Sequence, residues 1–392
     1  MLNLPFFGEI AELRRKIHAY PELAFEEHQT AALVASSLRS WGVEVIEGMG
    51  GTGVVGVIKR GNSPRMIGLR ADMDALPIAE KNAFAHVSRQ SGVMHACGHD
   101  GHTAMLLGAA RALVEHGKFD GTVVFIFQPA EEGAGGATRM IEDGLFRRFP
   151  VDAVFGLHNW PGLPVGQIAV HSGPAMAGMS ALEIRVKGKG CHAAMPHQGV
   201  DPIVVSSHLI SALQTIVSRN THPCDSAVVS ITQMVSGDTW NVIPNEALLR
   251  GTVRSFSDTI HDATEAAIRR VAQGVAIAHN AEIEVRVLDR HPPTVNTAPE
   301  AELSAAAATE VVGEAAVLRR EYPSMGAEDF SFMLLEKPGS YIWLGNGPTE
   351  GGCMLHNPQY DFNDSAIPYG ISYWVKLVEK AMPTFQNEER FS

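Results

Sequence analysis

TVVFIFQPAEEGAGGA, residues 122–137, decides how this chain folds. Thr122–Phe127 is a β-branched and aromatic run without a polar interruption, which suits a strand buried on both faces of a parallel sheet. Gln128-Pro129 ends it, and two glutamates and a glycine-rich stretch follow. In open α/β sheets, ligand sites lie just past the carboxyl ends of the strands. Glu131 and Glu132 therefore stand at the functional edge of such a sheet. One carboxylate can hold a metal while its neighbour takes a proton from activated water. Taken alone, the pair also fits two solvated acids capping the next helix.

Working outward, Val54–Ile58, Met66–Leu69 and Val151–Leu157 read as further strands, and Thr103–His116 as a helix. Phe6–Trp41 has helical spacing broken at Tyr20-Pro21. Strands alternating with helices predict an α/β sheet with crossover helices. The pattern then changes. Ser180–Val186 alternates like a half-buried strand, Asp201–Arg219 is helical with Pro202 in its first turn, and Ala227–Gln233 and Ala247–Phe256 are strands. Thr259–Ala278 is a long helix capped near Ser257 or Asp258, and Ile283–Leu288 closes the set. The order β-α-β-β-α-β predicts a ferredoxin-like α+β domain inserted into the first. The expected boundaries are 1–177 and 292–392 for a discontinuous first domain and 178–291 for the insert.

Composition narrows the class. A chain of 392 residues exceeds one hydrophobic core, and 45% hydrophobic with 19% charged residues is ordinary for a globular protein. The net charge of −12, with no long basic run, argues against nucleic acid as a partner. Four cysteines in so long a chain do not make a disulfide scaffold. Met1–Glu12 lacks the features of a signal peptide, and no apolar stretch reaches the ~18 residues of a membrane span. The expectation is a cytoplasmic protein with no membrane partner.

The densest chemical cluster is MHACGHDGH, Met94–His102. Cys97 and His99 are two apart, so both side chains can face one way in an extended or turn segment, and Gly98 and Gly101 permit a tight backbone. Thiolate with imidazole suits a borderline-soft divalent ion such as zinc. His158 in GLHNWP and His356 in LHNP are weak signals singly, as are Asp72 and Asp74 in GLRADMDALP. The two aspartates fit groups that orient a ligand histidine, or plain turn chemistry.

MHACGHDGH, FQPAEEGAGGA, GLHNWP, GKGCHAAMPH, GAEDF and LHNPQYDFND, in this order, resemble the hippurate hydrolases, N-acyl-amino-acid amidohydrolases and plant indole-acetyl-amino-acid hydrolases. These belong to the aminoacylase and carboxypeptidase-like metallopeptidases. The resemblance runs from His18-Ala19-Tyr20-Pro21-Glu22 to the LHN motif. It implies a zinc-peptidase-like α/β/α sandwich with a mainly parallel sheet, plus a ferredoxin-like lid and dimerisation domain. It implies two divalent ions per subunit (zinc, manganese, cobalt or nickel) held by Cys97, His99, Glu132, His158 and His356. Glu131 is then the general base, and Cys97 stands where the wider superfamily has a bridging aspartate. Asp72 occupies a position that is a ligand histidine elsewhere, so Asp72 is not carried over as a ligand and Asp74 is a supporting residue. His192 is the implied donor to the oxyanion, reaching the site across a dimer in relatives. Asn241 and Arg254 are implied substrate contacts, with Arg254 pairing a substrate carboxylate.

The expected activity is hydrolysis of the amide of an N-acyl amino acid, a small-molecule substrate, to a carboxylic acid and a free amino acid, by a homodimer or higher homo-oligomer. A dipeptidase, a carboxypeptidase or an acylated-diaminopimelate deacylase of the same fold stays open. So do a Cys97 thiol hydrolase, a metal-binding protein without turnover, and a scaffold role. Survival of activity after chelation separates the thiol reading from the metal reading.

Overall fold

The computed structural model describes residues 2–319, 321–348 and 353–384. In chain order the elements begin with α1 (Phe7–Ala19), α2 (His28–Ser40), β1 (Glu44–Met49), β2 (Gly53–Arg60), β3 (Met66–Asp72), α3 (His99–His116) and β4 (Gly121–Gln128). There follow α4 (Gly136–Glu142), α5 (Leu145–Arg148), β5 (Ala153–Pro161), β6 (Ile168–Val170), β7 (Gly173–Met176), β8 (Gly178–Lys187) and β9 (Cys191–His192). Next come α6 (Pro202–Thr215), β10 (Ala227–Val235), β11 (Val242–Ile243), β12 (Glu246–Ser255), α7 (Asp258–His279) and β13 (Glu282–His291). The chain closes with β14 (Thr294–Asn296), α8 (Ala298–Val312), β15 (Val317–Leu318), α9 (Phe330–Glu336), β16 (Gly339–Gly347) and α10 (Ile367–Ala381).

Two compact units result. The first takes residues up to 175, 295–322 and 329 onward, and the second takes 176–294 with 323–328. The first unit holds an eight-stranded sheet in the order β1-β2-β4-β3-β5-β16-β6-β15. Its centre, β4-β3-β5-β16, is parallel, while β1, β2 and β6 add antiparallel pairings. All eight residues of β4 are buried. Val123, Phe125 and Phe127 join the core beneath α1, α3, α8 and α10. Val124 and Ile126, equally buried, point to the opposite face, as the two-residue period of a strand requires. Burial on both faces explains the unbroken apolar run.

The second unit is a four-stranded antiparallel sheet, β10-β12-β8-β13, packed with α6 and α7 around its own core. Residues at alternate positions of β8 are buried, matching the half-buried strand read from the sequence. Asp201 caps α6, its carboxylate accepting from Ile203 and Val204 N–H. The helix ends earlier than expected, because Ile216–Asn220 widens into π-helical turns. Ser257 does precede α7, but its side chain makes no capping hydrogen bond. Among the described residues no helix is long and apolar enough to cross a membrane.

The amino-terminal helix is tied to the site region by a buried charge network. His18 Nδ1 donates to Asp100 at 2.8 Å and its Nε2 faces Glu80 at 3.2 Å. Arg14 donates to Asp100, Asp361 and Asp364. Burial opposes a charge on His18, but Asp100 prevails and its pKa is raised to about 9. An unfolded histidine titrates near 6.5. The folded value is the higher, so this stabilisation is complete below pH ~6.5 and is lost as pH rises through about 9. The expected loss is on the order of 3 kcal/mol. Thermal melts between pH 6.5 and 9.5 should therefore fall more steeply for the native chain than for His18→Gln; parallel slopes would refute the assignment.

Candidate metal centre

Each candidate donor is delivered by the end of an element. Glu131 and Glu132 follow β4, His158 lies in the carboxyl-terminal half of β5, and Asp74 lies just beyond β3. These strands are parallel, so their carboxyl ends share one sheet edge. Cys97 is in the turn before α3, and His99 is the first residue of that helix rather than part of an extended segment. Gly98 between them is left-handed at φ +89°, and a Cβ there would lie 2.2 Å from Asn159 Nδ2 and 2.5 Å from the Tyr360 hydroxyl. The Cys-Gly-His spacing thus depends on a glycine for both dihedral and space. His356 is also left-handed, at φ +64°, and its N–H donates to Ala96 C=O at 2.7 Å.

Cys97 Sγ lies 3.4 Å from His158 Nε2, and His356 Nε2 lies 3.2 Å from Glu132 Oε1. The ligand atoms of Cys97, His99 and His158 fall within 4.8 Å of one another, as do those of Cys97, Glu132 and His356. Cys97 belongs to both groups. His99, Glu131 and Glu132 form a third.

These residues fit a metal on the chemistry of the donor set. His158 Nδ1 donates to Asn159 C=O at 2.6 Å, and His99 Nδ1 donates to Asp74 C=O at 2.9 Å. Nε2 is therefore the nitrogen each ring leaves for a ligand, and His99 Nε2 is buried without a hydrogen-bond partner. Burial, then His102, pushes His158 well below the ordinary histidine range, so the ring is neutral, as ligation needs. Burial and the Glu132 carboxylate push the Cys97 thiol up. His356 is raised to about 10 by hydrogen bonding with Cys97 and Glu132. Burial opposes a charge on His99, but Asp72 and Cys97 hold its pKa well above the usual value. The cluster thus favours positive charge, which a divalent cation would supply while lowering the thiol's pKa.

Behind the donors stands a second layer. Asp74 serves both sides of the cluster: Oδ1 is 3.2 Å from His99 Nδ1, and Oδ2 accepts from Glu132 N–H at 2.9 Å. His102, which the sequence reading did not single out, donates from Nδ1 to Asp72 at 2.6 Å. Its Nε2 accepts from Asn159 N–H at 2.9 Å. Both ring nitrogens are thus engaged, which removes His102 from the ligand set although it lies within the same motif. Asn159 Nδ2 donates to Cys97 C=O at 2.7 Å, and the Tyr360 hydroxyl donates to Asn159 Oδ1 at 2.6 Å. Asp72 also accepts from the buried Arg70 at 2.6 Å, and Arg70 donates on to Asp329. Asp329 lies in the GAEDF motif and ties it to this layer.

The other three candidates belong to the second unit. His192 is exposed in the two-stranded antiparallel sheet of β9 and β11, opposite Val242, and its Nδ1 accepts from Ala194 N–H. Asn241 is exposed, its carbonyl accepting from Ala193 N–H. Arg254 is half-buried on β12 and donates to Met325 C=O at 2.7 Å. Among the described residues no carboxylate pairs with Arg254, and burial lowers its pKa.

Residues 68–380 match the family described as Peptidase family M20/M25/M40. Hippurate hydrolase of Campylobacter jejuni is 43% identical over 373 residues, covering 95% of this chain and 96% of that protein. N-acetylcysteine deacetylase of Bacillus subtilis is 38% identical, covering 98% of this chain and 100% of that protein. The solved structure of the Bacillus subtilis protein YXEP, described as a dinuclear metal-binding peptidase, superposes with a TM-score of 0.86 at 35% identity. The match covers 98% of this chain and 100% of that one.

Proposed function

Because the chain belongs to peptidase family M20/M25/M40, we propose a specific division of labour among its residues in the metal-dependent hydrolysis of N-acyl amino acids. The observation that carries it is the shared position of Cys97 between two donor groups, with Glu131 beside them. Cys97, His99, Glu132, His158 and His356 hold two divalent ions. Bound there, the ions supply Lewis acidity, lowering the pKa of water and polarising the scissile carbonyl. Thiolate with imidazole directs the choice among zinc, cobalt, nickel and manganese.

Glu131 takes the proton from the attacking water and returns it to the leaving nitrogen. Asp74 fixes the tautomer of His99 and the backbone of Glu132. His192 donates to the developing oxyanion. Arg254, a half-buried cation with no acid partner among the described residues, receives the substrate carboxylate, with Asn241 as a further polar contact. Arg254→Met should therefore raise KM with kcat little changed, whereas His192→Gln should lower kcat. The reverse split would exchange the two roles.

The test is benzoate release from hippurate, compared with release from N-acetyl amino acids and from unblocked dipeptides. It is run before chelation, after chelation, and after return of each ion. Loss on chelation, recovery with one ion and preference for blocked substrates are expected. Full activity in metal-free protein would defeat the reading, and preference for free dipeptides would move the substrate class.

We place the chain in a cytoplasmic homodimer joined through the second unit. Strand β10, at the edge of its sheet, ends in Val235 at 63% exposure, and Trp240 a few residues on is fully exposed. Sedimentation at twice the chain mass is expected.

A further inference from the structure

The segment carrying Glu131 and Glu132 closes on itself. Gly136 N–H donates to Ala130 C=O at 3.0 Å, and Gly133 N–H donates to Glu131 C=O at 2.7 Å. Ala130, one residue before Glu131, sits at φ +54°, a region that alanine leaves unless its surroundings hold it there. Three carboxylates from separate parts of the first unit grip the backbone of this segment. Glu27 Oε1 accepts from Ala130 N–H at 2.8 Å, Asp74 Oδ2 from Glu132 N–H at 2.9 Å, and Asp329 Oδ2 from Ala137 N–H at 2.9 Å.

Asp74 and Asp329 have further partners in His99, Arg70 and Gln128. Glu27 is different. It lies 103 residues from Ala130 in sequence, has no solvent exposure, and pairs with no cation among the described residues. Its other oxygen accepts from the Thr52 hydroxyl. Burying a carboxylate without a counter-ion is costly. What it gains here is a charge-assisted bond to the left-handed alanine of this segment, and such bonds are roughly twice as strong as neutral ones.

We propose that Glu27 is a positioning residue for the hydrolysis: through Ala130 N–H it holds the left-handed turn from which the Glu131 side chain projects. The inference rests on Glu131 as general base. Proton transfer needs the base within hydrogen-bond reach of the water, and a shift of about 1 Å remote from the chemistry costs on the order of 100-fold.

The experiment uses the full chain, metal-loaded, as native protein, Glu27→Gln, Glu27→Ala, Glu131→Gln and the Glu27→Ala/Glu131→Gln double variant. Glutamine can accept from Ala130 N–H with its oxygen and donate to Thr52 Oγ1 with its amide. Hippurate kinetics, metal content and amide hydrogen exchange over residues 127–137 are read together, the exchange also on metal-free protein. Glu27→Ala should lower kcat about 100-fold with KM and metal content unchanged, and should speed exchange in that segment. Glu27→Gln should stay within about threefold of native kcat with native exchange, since it keeps both hydrogen bonds. Added to Glu131→Gln, Glu27→Ala should cost nothing further, because it acts through the base.

A native kcat in Glu27→Ala, or an undiminished further loss on the Glu131→Gln background, overturns the proposal. If Glu27→Ala does not fold, Thr52→Val, which frees one oxygen of Glu27, should lower kcat in the same way; an unchanged kcat overturns the proposal. A native rate in Glu131→Gln removes the general-base reading together with this one. A native rate in Glu27→Ala beside an inactive Glu131→Gln removes this one alone.

Discussion

Glu131→Gln should retain its metal and lose activity by about 10²–10⁴-fold in kcat, with KM close to native. Glutamine matches glutamate in shape, and the backbone around it is held independently by Asp74 and Asp329, so the segment should keep its course. What is lost is an acceptor for the proton of water and a donor for the leaving nitrogen. Steady-state benzoate release with metal analysis on the same sample reads both. A native kcat would dismiss Glu131 as the base. Loss of one ion would make Glu131 a ligand and return the choice between the adjacent glutamates to open.

Replacing Cys97 should have the second large effect, by a different route. Cys97 is the donor common to the Cys97–His99–His158 and Cys97–Glu132–His356 groups, so Cys97→Ala withdraws an anionic ligand from both. Losing an orienting partner of a ligand costs roughly 10–100-fold in metal affinity or activity, and losing a shared ligand should cost more. Dialysed Cys97→Ala is expected to hold less metal than the native chain and to turn over more slowly than that range implies. Cys97→Asp supplies another anionic donor and should regain metal and part of the rate. Activity in Cys97→Asp is incompatible with Cys97 as a nucleophile. Normal metal content in Cys97→Ala would show that the shared position is not used for binding.

The fold was legible where one physical signal dominated. The uninterrupted apolar run at Thr122–Phe127 could satisfy its burial only as an inner strand, and β4 is that strand. The α+β order of the second unit was readable because β8 and β12 keep alternating burial and α7 is long and amphipathic. β1 and β16 escaped notice. β1 is largely exposed, so its sequence shows little patterning. β16 ends in Gly345-Asn346-Gly347, residues that read as a turn.

At the candidate site, residue type and motif order picked out residues that the fold brings together, but their pairing was invisible. Nothing in MHACGHDGH distinguishes His99, with a bare Nε2, from His102, whose two nitrogens are consumed by Asp72 and Asn159. That distinction arises from β3 and β5, which lie far from the motif in sequence. Glu27 was missed for the same reason. It reads as one acid among several near the start of α2, and only the fold brings it beneath Ala130. A left-handed alanine carries no mark in a sequence, whereas a glycine in that role does.

The charge network around Arg14 and His18 has a consequence in time. Arg14 and Asp364 are 350 positions apart, and His356 arrives almost as late. At roughly 5–20 residues per second, a ribosome needs on the order of 20–70 s between making the first helix and making its last carboxylate partners. For most of that interval, of Arg14's partners Asp100, Asp361 and Asp364 Asp100 alone is already made, and the cluster waits for its final imidazole. A nascent chain stalled short of His356 should therefore lack one member of the candidate donor set.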